Sequence, residues 1–359
     1  MDKPCEGRLR ELDGWRAVSV LLVILHHLGV QHHRFVSHFP LLAIRLNSCG
    51  PLGVKVFFVI SGFVICRLLI SEEARYGAVS LRAFYYRRIF RILPPFYVYL
   101  GTLSLLLSLG LIHESRKAIL DAALFLCDLR VMPRSWFVGH AWSLAVEEQF
   151  YLIFPGAWVL TPKRWRSKVF LGVFFLCAAW NLSMVCIGWD PFVYSITRTG
   201  FACIACGVVM TIEEKRARSM ANRVPAFIVA IVAITLLLHP IGPESWHAAL
   251  YEGLLVPPAI GLVLLYSLGR GAWLRDFLCS RPMQAIGLTS YGIYLWQQFF
   301  TAPARENFPG GGRFVPLLLP LLCVIVPLSY FLIEKPAMRF GKGLSQRARA
   351  GSIDATAAA

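Results

Sequence analysis

The sequence predicts an all-α integral membrane protein of about ten transmembrane helices, with both termini on the cytoplasmic side. Three observations carry this. Of 359 residues, 57% are hydrophobic and only 16% charged, and the mean hydropathy of +0.60 exceeds what one soluble core of this length needs. Apolar runs recur from residue 17 to residue 333 with no long polar stretch between them, which excludes a two-domain soluble enzyme and a disordered chain. The third observation is where the positive charge sits.

The 36 Lys and Arg against 20 Asp and Glu give a formal charge of +16. In a soluble protein that excess would point to nucleic acid. A bilayer core about 30 Å thick takes about 20 mostly apolar helical residues, and ten segments qualify: 14–34, 50–70, 93–112, 143–160, 168–188, 193–212, 225–240, 248–268, 284–302 and 314–333. With the amino terminus inside, the cytoplasmic segments 1–16, 67–91, 161–168, 213–224, 269–283 and 335–359 hold 26 Lys and Arg, and the opposite segments hold 8. This asymmetry orients the helices and assigns the charge to the lipid bilayer, with no nucleic-acid partner. The run 119–132 is short and carries Asp121, Asp128 and Arg130; counting it as a span would invert the charge pattern, so it reads as a re-entrant or interfacial piece. Residues 1–340 form one membrane domain, and the small, Ala-rich stretch 341–359 is expected to be a disordered cytoplasmic tail. No cleavable signal peptide or internal repeat is visible.

Most of the ten cysteines lie inside apolar runs and read as small hydrophobes, Cys203 and Cys206 included. No disulfide framework or metal site is expected.

Ionisable groups at membrane depth are the informative residues, because each is costly there unless paired or hydrated. In LDGWRAVSVLLVILHH, Arg16 and His27 are 11 positions apart, three helical turns plus about 20°, so they share a face roughly 16 Å apart along the axis. His27 can take a proton from a hydroxyl at neutral pH; a hydrogen-bonded interfacial histidine, among His26, His32 and His33, is the plainer alternative. In FYYRRIFRILPPFY, Arg88 and Arg91 are neighbours on one helical face and could grip phosphates, or simply anchor the helix by positive charge inside. In WSLAVEEQFYLIFP, Glu147 and Glu148 could orient His27, bind a sugar hydroxyl, or pair with an arginine such as Arg198. Ser61-Gly62 forms a small-residue step that suits helix packing. The strip SYGIYLWQQ offers Tyr291, Tyr294, Trp296, Gln297 and Gln298 to a carbohydrate or an acyl carbonyl, and Glu334 reads as an ion-pair partner. Trp136, His140, Trp246 and His247 on outer segments are compatible with sugar stacking.

In order along nearly the whole chain, LDGWRAVSVLLVILHH, FFVISGFVI, RRIFRILP, WSLAVEEQFYLIFP, SYGIYLWQ and IEKP resemble the acyltransferase 3 family of integral-membrane acyltransferases. That resemblance implies transfer of an acyl group, usually acetyl from acetyl-CoA, to a hydroxyl of an exported glycan such as O-antigen, exopolysaccharide or peptidoglycan, in a bacterial inner membrane. It implies Arg16, His27 and Glu147 as catalytic residues, and Arg88 and Arg91 as contacts to the acyl-CoA donor. Glu148, Gln297, Tyr291 and Trp142 are expected to bind substrate, with no metal. The chain departs from the family pattern at Gln297, where many members have His, and no esterase-like domain comes after the membrane part. A transporter of the donor or of an acylated glycan, and an enzyme acylating a small glycosylated metabolite, are the rival expectations.

Overall fold

The computed structural model describes residues 9–31, 38–128, 135–186, 191–238, 248, 250–268, 272–302, 308–309 and 320–357. Among these there are helices and turns but no strand. The elements are α1 (Arg10–Gln31), α2 (Pro40–Tyr76), α3 (Leu81–Ser108), α4 (Arg116–Ala123), α5 (Ala141–Leu160), α6 (Arg166–Cys186), α7 (Pro191–Ile212), α8 (Glu214–Ala221), α9 (Ala226–Leu238), α10 (Val256–Ser267), α11 (Ala272–Leu278), α12 (Arg281–Leu288), α13 (Ser290–Phe300), α14 (Leu322–Ser329) and α15 (Lys335–Ala357). The described residues of the ten apolar runs are mostly helical. Among the described residues two helical stretches, Cys49–Tyr76 and Leu81–Ser108, are long and apolar enough to cross a membrane by length and composition, and α8 with α9, bent by 102°, makes a third if counted as one span.

The eight-residue α4 spans about 12 Å, too short to cross a bilayer by itself. Beyond it Asp128 is buried, and Gln149 Nε2 donates to its Oδ1 at 2.9 Å. Burial pushes this carboxyl above the ordinary carboxylate range. Residues 129–132, Arg130 among them, lie outside the described residues, as do His32, His33, Trp246, His247 and the side chain of Arg198.

The chain divides into two compact units, residues 1–65 with 167–291, and residues 66–166 with 292–359. In the first, α2 and α7 approach to backbone contact. A Cβ on Gly62 would overlap the Ile204 carbonyl, and one on Gly207 would overlap the Val59 carbonyl. The small-residue step therefore serves packing at Gly62, where membrane helices gain most from close approach. Thr211 Oγ1 adds bonds to the Phe63 carbonyl (3.2 Å) and the Gly207 carbonyl (2.8 Å). Next to this seam Lys55 pairs with Glu252 on the π-helical turn Tyr251–Leu255, both buried. The start of α1 is locked as well: Gly14 lies against Leu278, Gly287 lies against the Asp13 carbonyl, and Trp15 Nε1 donates to Ser267 Oγ at 2.9 Å.

In the second unit α2 ends at Gly77, whose φ of +78° suits glycine, and Ser80 caps α3 through Ala83 N. Glu72 and Glu73, at the end of α2, anchor later segments of the chain. Glu73 meets Arg166 Nη1 at 2.6 Å, and the Arg166 guanidinium stacks 4.0 Å over Trp158. Glu72 meets Arg87 Nη2 at 2.8 Å and Arg349 Nη2 at 2.7 Å. Arg349 belongs to the stretch expected to be disordered. Instead α15 continues to Ala357, because an Ala-rich segment favours helix once tertiary contacts nucleate it, and here Gly341 and Ser345 bury against α3.

Removing one partner of the Lys55–Glu252 pair leaves a buried charge alone. Glu252→Ala is expected to cost about 3–5 kcal/mol, and Lys55→Met with Glu252→Met to recover most of it. Thermal melts of the full chain in detergent check both; unchanged melting for Glu252→Ala contradicts the pairing.

Candidate active site

Within the first unit, α1 carries Arg16 and His27, both half-buried. His26 is turned away by a hydrogen bond from its Nδ1 to the Leu46 carbonyl at 3.1 Å, and a Cβ on Gly50 would meet its ring. Its ring lies 5.1 Å from that of His27. Of the adjacent pair, His26 is thus the structural histidine, because α2 crosses α1 there. His27, about 100° further round the helix, shares the Arg16 face. Tyr291 belongs to this unit too and is half-buried.

The second unit gathers Arg88, Arg91, Trp142, Glu147, Glu148 and Gln297. Arg88 sits with its guanidinium 5.2 Å over the Tyr151 ring and 5.8 Å over the Phe84 ring. The Tyr151 hydroxyl donates to Glu147 Oε1 one turn back on α5. Arg88 also interacts electrostatically with Glu147, Glu148, Arg91 and Arg87. Arg88, on α3, is thus a cationic neighbour of both glutamates. A guanidinium over aromatic faces can still bond through its N–H edge, and Arg91 lies three residues on from Arg88 along α3.

Tyr151 was missed from sequence, although its place four residues after Glu147 was a usable signal. So was the cluster at the start of α5. Ser143 Oγ and Tyr294 OH are 2.6 Å apart, and both bond to the His140 carbonyl, at 3.0 and 3.3 Å. Tyr294 also interacts electrostatically with Glu147. His140 differs from the expectation of an exposed sugar-stacking residue: it is 4% exposed, its ring edge-on to Tyr99 (5.6 Å) and Tyr294 (5.4 Å). Trp136 is likewise committed inward, its Nε1 donating to the Gln298 carbonyl at 2.8 Å. Gln297, expected to bind substrate, lies on α13. It is fully buried, with Nε2 3.1 Å from Gln298 Oε1 and Oε1 3.4 Å from Thr301 Oγ1. The long side chains of SYGIYLWQQ point inward because α13 is packed on most of its circumference. Trp142 is half-buried on α5, and Glu334 accepts from Ser329 Oγ at 3.4 Å and abuts Gly292. Among the described residues no cluster of His, Cys, Asp or Glu could hold a metal ion.

In one unit Arg88 interacts with Glu147 and Glu148, and in the other Arg16 and His27 share a face of α1. The acyltransferase domain family matches residues 9–334, so the chain belongs to the acyltransferase 3 family and is an acyltransferase domain. It is 26% identical to "Peptidoglycan O-acetyltransferase OatA" of Listeria monocytogenes, over 92% of this chain and 56% of that protein. It is 28% identical to "Putative peptidoglycan O-acetyltransferase YrhL" of Bacillus subtilis, over 90% of this chain and 54% of the relative. A Staphylococcus aureus relative, "Putative O-acetyltransferase SACOL0978", is 27% identical over 94% of this chain and 58% of its own length. The chain thus spans a little over half the length of these relatives. No solved structure matches it.

The Tyr151 hydroxyl fixes Glu147 against Arg88. Tyr151→Phe is expected to lower acyl transfer about tenfold, the equivalent of roughly 1.4 kcal/mol for one hydrogen bond to a charged group. Acylation measured at matched protein abundance checks this, and an unchanged rate removes Tyr151 from the site.

Proposed function

We propose that the protein is a ten-span membrane O-acyltransferase that moves an acetyl group from acetyl-CoA, bound from the cytoplasmic side, to a hydroxyl of an exported carbohydrate. The observation that carries the reading is the Arg88–Glu147–Tyr151 arrangement, with Arg91 one turn on, in a chain of the acyltransferase 3 family. Arg88 and Arg91 hold CoA phosphates by bidentate bonds. His27 takes the proton of the acceptor hydroxyl as its oxygen attacks the thioester carbonyl carbon. The carbon–sulfur bond breaks, CoA thiolate leaves, and the proton on His27 neutralises it. Arg16, on the same face of α1, stabilises negative charge that develops on the reacting oxygen or sulfur. Glu147 sets the position of Arg88, and Glu148, Trp142 and Tyr291 contribute to substrate contact.

The relatives named for peptidoglycan O-acetylation support a cell-wall or surface glycan as the acceptor. The charge asymmetry supports a cytoplasmic donor side, because Arg88 and Arg91 fall in the most basic of the segments assigned inside. The same relatives, all bacterial, support a bacterial cytoplasmic membrane as the location.

In cells carrying His27→Ala or Arg88→Ala at normal protein abundance, O-acetyl content of the surface glycans, read as a 42 Da mass difference of roughly one acetyl group per site, is expected to fall to background. Wild-type acetylation in both variants overturns the assignment. The topology has its own check: a fluorescent protein fused after Arg164 is expected to fluoresce, and an export-dependent phosphatase fused within 303–313 to be active. The reverse pattern rejects the ten-span arrangement.

A further inference from the structure

The segment of α3 that bears the arginine pair is held from two directions. Phe84, Arg88 and Arg91 recur at helical spacing, and Arg88 reaches Tyr151 of α5. Tyr86, Arg87 and Phe90 meet α15 instead. A Cβ on Gly341 would lie 2.6 Å from Phe90 Cβ and 2.9 Å from the Tyr86 carbonyl oxygen, so only glycine admits this approach. One turn on, Ser345 Oγ accepts from Arg87 Nη1 at 2.8 Å, and the Phe340 ring stands edge-on to Phe90 at 5.0 Å. A further turn on, Arg349 joins Arg87 on Glu72, with Nη2 at 2.7 Å from Oε2 and Nε at 3.2 Å from Oε1. Gly341, Ser345 and Arg349 form one stripe at intervals of four.

Backbone chemistry explains why such a stripe is needed. Pro94 and Pro95 lie inside α3 and have no N–H to give to the carbonyls of Phe90 and Arg91. The helical ladder is interrupted immediately after the arginine pair, and the rotation of residues 81–93 about the helix axis is less constrained by the rest of α3. Lateral contact has to supply that constraint. A rotation of one residue is about 100°, enough to exchange the directions of Arg87 and Arg88.

We propose that α15, through Gly341, Ser345 and Arg349, is a positioning element that sets the rotation of α3 and so aims Arg88 and Arg91 at the anionic end of the acyl donor. This rests on the reading of those two arginines as donor contacts. Arg87 is withdrawn from the anion site by Glu72, leaving its two neighbours to serve it.

The test is equilibrium binding of acetyl-CoA to the full chain in lipid nanodiscs, with thermal melts alongside. Arg349→Glu and Glu72→Arg are each expected to raise the Kd for acetyl-CoA about tenfold, and the double charge swap to bring it back within about threefold. Gly341→Leu is expected to act like the single charge variants and Gly341→Ala to be milder; if Gly341→Leu does not fold, the charge swap decides. A purely structural role lowers the melting temperature without moving Kd, and that result overturns the proposal. Wild-type Kd in all three single variants, with binding lost in Arg88→Ala, also overturns it while leaving the donor reading intact. Wild-type Kd in Arg88→Ala and Arg91→Ala removes the donor reading, and the proposal with it.

Discussion

An ionised side chain in hydrocarbon has no water to turn to, and the pairing of such charges governs where these helices can stand. Lys55 on α2 is tolerable at its depth because the π-helical turn before α10 brings Glu252 to it. A π turn adds a residue to the helical repeat, rotating the helix on one side of the turn against the helix on the other. Here that rotation delivers a carboxylate to a buried ammonium. Arg88 is tolerable because α5 offers Glu147, Glu148 and the Tyr151 ring, with the Phe84 ring of α3 beside it. Both cases tie one helix to another by a constraint that apolar packing alone does not provide, since lipid tails are as apolar as leucine.

Close backbone approach is the second half of that constraint. Gly62 and Gly207 face carbonyls of the opposing helix reciprocally, and Gly14 and Gly287 do the same around α1. Where helices touch at backbone distance, rotation and sliding are both blocked. The register of α1 is therefore fixed near Arg16, by Trp15 on Ser267 and by Gly14 on Leu278, and near His27, by His26 on the Leu46 carbonyl. A helix pinned at both ends of its functional face can keep an arginine and a histidine aligned over three turns.

Helix positions were largely legible in the sequence because they depend on local composition: the described residues of the ten apolar runs are mostly helical, and those of the charged run 119–132 hold the end of a short helix and a turn. The Arg16–His27 face and the Arg88–Arg91 pair were legible too, since spacing within one helix fixes them. What a linear reading could not place depended on tertiary contact. Gln297, His140 and Trp136 look available in a linear reading because polar and aromatic residues near a span end are usually interfacial. The fold instead draws them into mutual hydrogen bonds and ring contacts. The 341–359 stretch failed for the opposite reason: its small residues, which suggest a loose tail, are what permit α15 to lie against Phe90. Lys55 could be recognised as a charge needing a partner, but no local rule points from it to a residue as distant in sequence as Glu252.

The adjacent arginines of RRIF show how finely direction divides function in such a chain. Arg87 and Arg88 have the same chemistry and neighbouring Cα atoms, and differ by one helical step of about 100°. That step sends Arg87 to Glu72 and Ser345, where its charge is consumed in holding three helices. It sends Arg88 to the aromatic and acidic face of α5, over the Tyr151 ring and near Glu147. The proline pair just beyond weakens the ladder that would otherwise enforce this division. The direction of each arginine is thus a property of what packs against α3 as much as of α3 itself, and charge count alone could not have distinguished the two.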